Sequence, residues 1–267
     1  MTSLAGRLEI CLKSFFVQAA WNPERMQNVG FLFGIRSALK KIWRRDSKEF
    51  ETACERASSL FNTHPYFVPA MMGLTIHVEE KVAAGELPVS AVEYLKSKIA
   101  APLNALGSLW FWDHLRLLVF LLAVPFLLIP DPAGVVAGAV LYFAVFNYFH
   151  FTTRWRGLKF GLTYGEDMVG HILKMFPSSM LQSVRRLCVF FLGILAPLVL
   201  AALFESIQRR LPGLPDTFPV PHVFFLRLLI ALAILCGSVV LLHRRWVSVY
   251  QLLAAGLVLA MGLARWA

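Results

Sequence analysis

Seven histidines are the natural starting point for chemistry in this 267-residue sequence, and their spacing argues against it. His64, His77, His114, His150, His171, His222 and His243 are scattered along the chain. A zinc-protease helix needs a second histidine four residues after the first, around a glutamate. His77-Val78-Glu79-Glu80 lacks it. Adjacent carboxylates on a helix point in different directions, so Glu79 and Glu80 read as a solvated or ion-paired helix end. No phosphate-cradling loop and no nucleophile–base–acid order is present. Cys11, Cys54, Cys188 and Cys236 show no ligand spacing and read as small hydrophobes. The reading is no catalytic residue, no metal and no cofactor.

Three stretches carry polar groups that could hold a ligand. The first runs from Gln18 through Trp21, Asn22 and Pro23 to Gln27, Asn28 and Gly30. Its amides suit either buried backbone groups or the hydroxyls of a sugar. The second, Phe61-Asn62-Thr63-His64-Pro65-Tyr66, puts polar groups at the mouth of a short apolar segment. Non-helical backbone at membrane depth survives only where protein buries it or it lines a cavity. Asn62 and His64 are therefore either a helix-breaking turn or ligand contacts. The third, Gly107-Ser108-Leu109-Trp110-Phe111-Trp112-Asp113-His114-Leu115-Arg116, opens an apolar run. Tryptophan at such an edge anchors a membrane interface, yet Trp112 beside Asp113, His114 and Arg116 also suits a pyranose ring.

The elements that must position these stretches follow from composition and pattern. The chain is 58% hydrophobic and only 16% charged, with net charge +10. Soluble chains average about a quarter charged, so an ordinary soluble enzyme, a disordered chain and a cysteine-stapled scaffold are excluded. What remains is an all-α polytopic membrane protein with an amphipathic helical N-terminal half and four to five membrane segments. The basic residues gather beside apolar runs, which reports membrane orientation; no nucleic-acid partner is expected.

Residues 1–114 read as amphipathic or re-entrant helices, and 115–267 as the transmembrane region. Leu4, Leu8, Leu12, Phe15 and Phe16 recur at helical spacing, suiting a bilayer interface or a partner. Phe31, Ile35, Ala38, Leu39 and Ile42 form a second stripe. A third helix starts at an Asp46–Glu49 capping box and buries Phe50, Cys54, Ala57, Leu60 and Phe61. Residues 65–78 are apolar but too short for the ~20 residues of a span, so they read as re-entrant or protein-buried. A short helix follows from Ser90 to near Pro102. Apolar runs then cover 115–129, 133–149, 187–204, 223–242 and 247–264, with a basic connection over 151–186 and Arg244-Arg245 in a later turn. Both basic segments belong in the cytoplasm if five segments alternate from a cytoplasmic, uncleaved N-terminus.

The polar stretches, in this order, resemble the IID component of the mannose–fructose–sorbose class of bacterial phosphotransferase permeases. Phe16-Val17-Gln18 with Asn22-Pro23-Glu24-Arg25-Met26-Gln27-Asn28-Val29-Gly30 is similar to the family signature. Phe61–Tyr66 matches its FNTHPY block, and Phe111-Trp112 with Leu115-Arg116 matches part of GDSLFWGTLR. Asn147, Arg154, Gly157, Leu158, Lys159, Gly161 and Gly165 resemble its N…R…GLKxG loop. The resemblance implies a subunit of the bacterial inner membrane that pairs with a IIC membrane subunit in a hetero-oligomer and handles a hexose-type sugar. Partner IIA and IIB components carry the phosphoryl group. The residue types in the three stretches make Gln18, Asn22, Asn62, His64, Trp112, Asp113, His114 and Arg116 the candidate sugar contacts.

One block departs from the family pattern. The family's Asp is Ser108 here, its Ser is Leu109, its second Gly is Asp113 and its Thr is His114. A carboxylate and a hydroxyl suited to sugar are gone, and two ionisable groups have arrived. A non-transporting, IID-like scaffold or regulatory subunit is the alternative reading.

Overall fold

The computed structural model describes residues 3–43, 48–127 and 131–210. Among them every regular element is helical: α1 (Leu4–Lys13), α2 (Asn28–Trp43), α3 (Lys48–Ala57), α4 (Val68–Ala83), α5 (Ser90–Gly107), α6 (Arg116–Leu127), α7 (Pro132–Tyr164), α8 (Met168–Met175) and α9 (Ser178–Arg210). Two stretches, Ser90–Phe126 and Pro132–Gly193, are long and apolar enough to cross a membrane. The Asp46 cap and the apolar runs 223–242 and 247–264 lie outside the described residues.

α4 is the core helix. Val68 to Ile76 are buried without a break, so the apolar segment 65–78 is wrapped by protein. The helix continues to Ala83, and Gly85, at φ +75°, turns the chain away. Its neighbours are α2, α5 and α7. The α4–α7 crossing is close because glycines face it. A Cβ on Gly73 would lie 2.6 Å from the Leu158 carbonyl oxygen, and one on Gly157 would lie 3.1 Å from the Ala70 Cβ. Small residues four apart let backbones approach in this way.

Three expectations change here. Residues 151–164 form no loop: α7 runs through them, and its 33 residues extend about 50 Å. Glycines that suggest a loop instead supply the face on which α7 packs against α4. Pro102 does not end α5 either. The helix passes through it and widens into a π-helical stretch, Ser108–Leu115, before α6. The carbonyl left without a helical donor is that of exposed Lys98, while Ile99, Ala100 and Leu103 are buried on the other side, where the Thr63 hydroxyl donates to the Ala100 carbonyl at 2.8 Å. Finally, Leu60 is exposed, because α3 closes at Ala57 and the chain turns before Phe61.

The stripe Leu4, Leu8, Leu12, Phe15 and Phe16 faces outward, while Ile10, Ser14 and Val17 face the core.

Candidate functional site

The break between α3 and α4 is held by the amide-rich connector. Asn22 and Met26 pair backbone to backbone, with N···O distances of 3.1 and 2.8 Å, and the Gln27 amide donates to the Phe61 carbonyl at 2.9 Å. The buried Gln27 side chain then clasps Thr63 twice, donating to its carbonyl at 2.9 Å and accepting its amide at 3.1 Å. Asn28 donates to the Ser58 carbonyl and accepts from Asn22, at 2.9 and 2.8 Å. Lys96, 2% exposed, inserts its ammonium among the Ala57 carbonyl at 2.9 Å, the Ser59 hydroxyl at 3.0 Å, and the Arg56 and Ser59 carbonyls at 3.3 Å. It thus caps α3 from α5, a cation at a helix C-terminus. Glu79, fully buried, accepts from Arg56 at 2.8 Å and from the Trp43 indole at 2.7 Å. This is the ion-paired form of its sequence reading.

Braced this way, the break delivers His64 into an aromatic chamber. Its ring stacks on Phe111 at 5.4 Å and meets Tyr66 at 4.9 Å and Trp112 at 5.2 Å. The Tyr66 amide donates to Nδ1 at 3.4 Å, so Nε2 carries the proton, and Nε2 is buried without a partner among the described residues. Burial first, then the charges of Arg154 and His150, lower His64 to about 4. It is neutral near pH 7. Gly107 makes the ring's position possible: a Cβ there would collide with His64, with Nδ1 only 2.8 Å away. The π-helical stretch supplies Phe111 and Trp112, and local π geometry of this kind is frequent at functional sites.

Arg154 lies behind Tyr66. It is 3% exposed and packs between the Phe15 ring, 4.3 Å away, and the Tyr66 ring, 5.5 Å away. Its Nε donates to His150 Nε2 at 2.7 Å and its Nη1 to the Ser14 hydroxyl at 2.6 Å. Among the described residues no carboxylate pairs with it. His150 must therefore be neutral, with its other proton facing Asn147 Oδ1 at 3.4 Å. One guanidinium ties the end of α1, the break and α7 together.

The structure gathers only part of the sequence-derived set. His64 and Trp112 touch, and the Arg116 guanidinium lies 5.1 Å from the Trp112 ring. Asp113 is exposed on the π stretch, and His114 spends Nδ1 on the Leu109 carbonyl at 2.7 Å. Gln18 and Asn62 are exposed, away from the buried chamber. Asn22 is half-buried and occupied by Asn28 and the Arg25 amide. Tyr66, Phe111, Arg154, His150 and Ser14 complete the cluster. Arg154 and Tyr66 stood inside recognised motifs; nothing in the local sequence pairs Ser14 with a residue 140 positions away. Among the described residues no three His, Cys, Asp or Glu side chains converge as metal ligands.

A polar break buried by helices, beside helices apolar enough to cross a bilayer, defines a helical membrane protein. Its polar cluster is built for contact and positioning and holds no nucleophile–base pair. The chain belongs to the mannose/fructose/sorbose family IID components of the PTS system, whose family model matches residues 5–266. It is 28% identical over 187 residues to the PTS system mannose-specific EIID component of Escherichia coli (strain K12), covering 70% of this chain and 65% of that protein. It is 26% identical over 185 residues to the fructose permease IID component of Bacillus subtilis (strain 168), covering 69% and 66%. These matched segments thus span just under two thirds of each relative's length. The fold is similar to a chain of the mannose transporter ManYZ bound to microcin E492, at TM-score 0.57 and 22% identity over 98% of this chain and 96% of that one. A second solved membrane protein aligns at TM-score 0.64 and 23% identity, covering 97% and 96%.

Proposed function

We propose that this chain is the IID membrane subunit of a phosphotransferase-type sugar permease, not catalytic alone. A IIC membrane subunit completes the translocation unit, and IIA and IIB carriers bring the phosphoryl group to a hexose-type sugar. The working form is a hetero-oligomer, multi-pass in the bacterial inner membrane, with four to five segments and its basic 151–186 region cytoplasmic. Residues 1–114 shape the site, and 115–267 supply most of the membrane-embedded mass. The observation that carries this reading is the FNTHPY break, because it holds a neutral, buried histidine against an aromatic wall drawn from the π-helical block. An aromatic face and a directed N–H donor are what a pyranose ring requires.

A second reading is a non-transporting IID-like subunit. It is favoured by Ser108 and Leu109 standing where the family has Asp and Ser. Losing one hydrogen bond in a dry site costs about 1–3 kcal/mol, and tenfold in affinity is about 1.4 kcal/mol. On this reading mannose should bind the native complex about fivefold to 150-fold more weakly than an ordinary family member, unless Asp113 or His114 replaces the lost contact. Calorimetry on the assembled complex tests both readings. Transport is supported if sugar binds, His64→Ala weakens binding at unchanged assembly, and Ser108→Asp with Leu109→Ser strengthens mannose. Indifference of every sugar tested to all three changes supports the scaffold.

A further inference from the structure

The outward stripe of α1 belongs to a larger exposed apolar surface. α1 and α2 pack antiparallel: Glu9 hydrogen-bonds Lys13 and Ser37, and Lys13 lies 5.1 Å from the Phe33 ring. Phe16 meets Phe33 at 6.5 Å, extending the surface onto α2. Phe15 meets Phe151 at 5.8 Å, extending it onto α7. Leu8, Leu12, Phe16, Phe33 and Phe151 are 47%, 64%, 60%, 49% and 54% exposed, which is too contiguous for a face left in water.

Its level and its charge select the occupant. Above Phe151, α7 exposes Val136, Val140 and Phe143, an outer face suited to acyl chains. Below it, α7 turns basic, with Arg156 and Lys159 exposed. On α2, Lys40 and Lys41 are exposed cations, Arg36 turns to α3 with its guanidinium 5.8 Å from the Phe50 ring, and neither α2 nor α7 contains Asp or Glu. Glu9, the single acid on α1, is engaged by Lys13 at 2.7 Å. An apolar stripe at the end of a membrane helix, edged by one sign of charge, is the pattern of a helix lying in an anionic lipid surface.

We infer that α1 lies in the lipid–water boundary with Leu8, Leu12 and Phe16 among the acyl chains, and that Lys40 and Lys41 hold anionic phospholipid headgroups. The inference rests on the chain being a membrane protein and is independent of which sugar it handles. Each cation near such a surface contributes roughly a fivefold preference for anionic lipid.

The test uses the full chain, in the complex isolated from membranes, reconstituted in nanodiscs of phosphatidylcholine with phosphatidylglycerol. A fluorophore is placed on Leu12→Cys, or on Val140→Cys as the membrane reference, with the native cysteines replaced. Nitroxide-labelled phosphatidylglycerol should quench position 12 severalfold more than labelled phosphatidylcholine at the same mole fraction. Lys40→Gln with Lys41→Gln should remove most of that ratio without reducing quenching at Val140→Cys. Equal quenching by the two lipids overturns the anionic headgroup assignment. Quenching by aqueous iodide instead of lipid overturns the interfacial placement. Silence to both quenchers means a partner protein covers the stripe, and overturns it too. A reference at 140 that lipid fails to quench would mark failure of the membrane reading itself.

Discussion

Replacing Gly107 with alanine puts a methyl group where the His64 ring lies. Ordinary contact distance is 3.4–4 Å, and the new Cβ would stand 2.8 Å from Nδ1 and nearer still to two ring-side carbons. His64 has little room to yield: it is 1% exposed, stacked on Phe111 at 5.4 Å and bonded to the Tyr66 amide at 3.4 Å. Forcing a methyl into a packed interior costs about 1–3 kcal/mol. Alanine returns about 1 kcal/mol through helix propensity, leaving a net loss of about 1 kcal/mol. With His64→Gly in the background, which removes the Cβ as well as the ring, the collision vanishes and the propensity gain remains, so the same substitution should then stabilise by up to about 1 kcal/mol. A double-mutant cycle, read by unfolding in mixed detergent–SDS micelles, should give a coupling of about 2 kcal/mol and a reversed sign. Equal destabilisation in both backgrounds would refute the claim that Gly107 exists to admit His64.

Arg154→Lys should lower stability and uncouple α1, because an ammonium cannot reach Ser14 and His150 in the planar fork of a guanidinium; each unpaired buried group costs about 1–3 kcal/mol. Limited proteolysis near residue 18 in the reconstituted complex reads the release. Lys96→Met keeps the stem but strips four oxygens at the end of α3 of their donor, and should destabilise by about 2 kcal/mol or more in the same unfolding assay. His64 has a folded value lowered from 6.5 to about 4, so its contribution is whole above about pH 6.5 and is lost as pH falls toward 4. The full effect is about 3 kcal/mol, and His64→Gln should flatten the acid side of the stability profile relative to wild type.

Much of the scaffold was legible because local rules sufficed. The apolar run 65–78 was too short to span, and α4 is accordingly buried in protein. The FNTHPY segment held its own turn chemistry, and the amides of the 18–28 connector found backbone partners at the break, as their density suggested. Pro102 and the Gly157/Gly161 pair misled because tertiary packing overrides both: α5 runs on through its proline, and the glycines become the face on which α7 meets α4. The candidate site was only half visible. His64, Trp112 and Arg116 could be picked by type, but the closeness of Gly107 to His64, and the packing of Arg154 and Ser14 behind Tyr66, are set by tertiary packing. Nothing in the local sequence marks Lys96 as the cap on the end of α3.

The most direct measurement is native mass spectrometry of this chain co-expressed with a IIC-type subunit from the same genome and extracted in mild detergent. Asn62 and Asp113 are exposed beside the break, and polar groups at that surface are ones that lipid around a lone chain would not satisfy. The expected result is a stable hetero-oligomer containing both membrane subunits, with the chain expressed alone degraded or aggregated. A monodisperse, long-lived lone chain that ignores the IIC subunit would contradict the assignment.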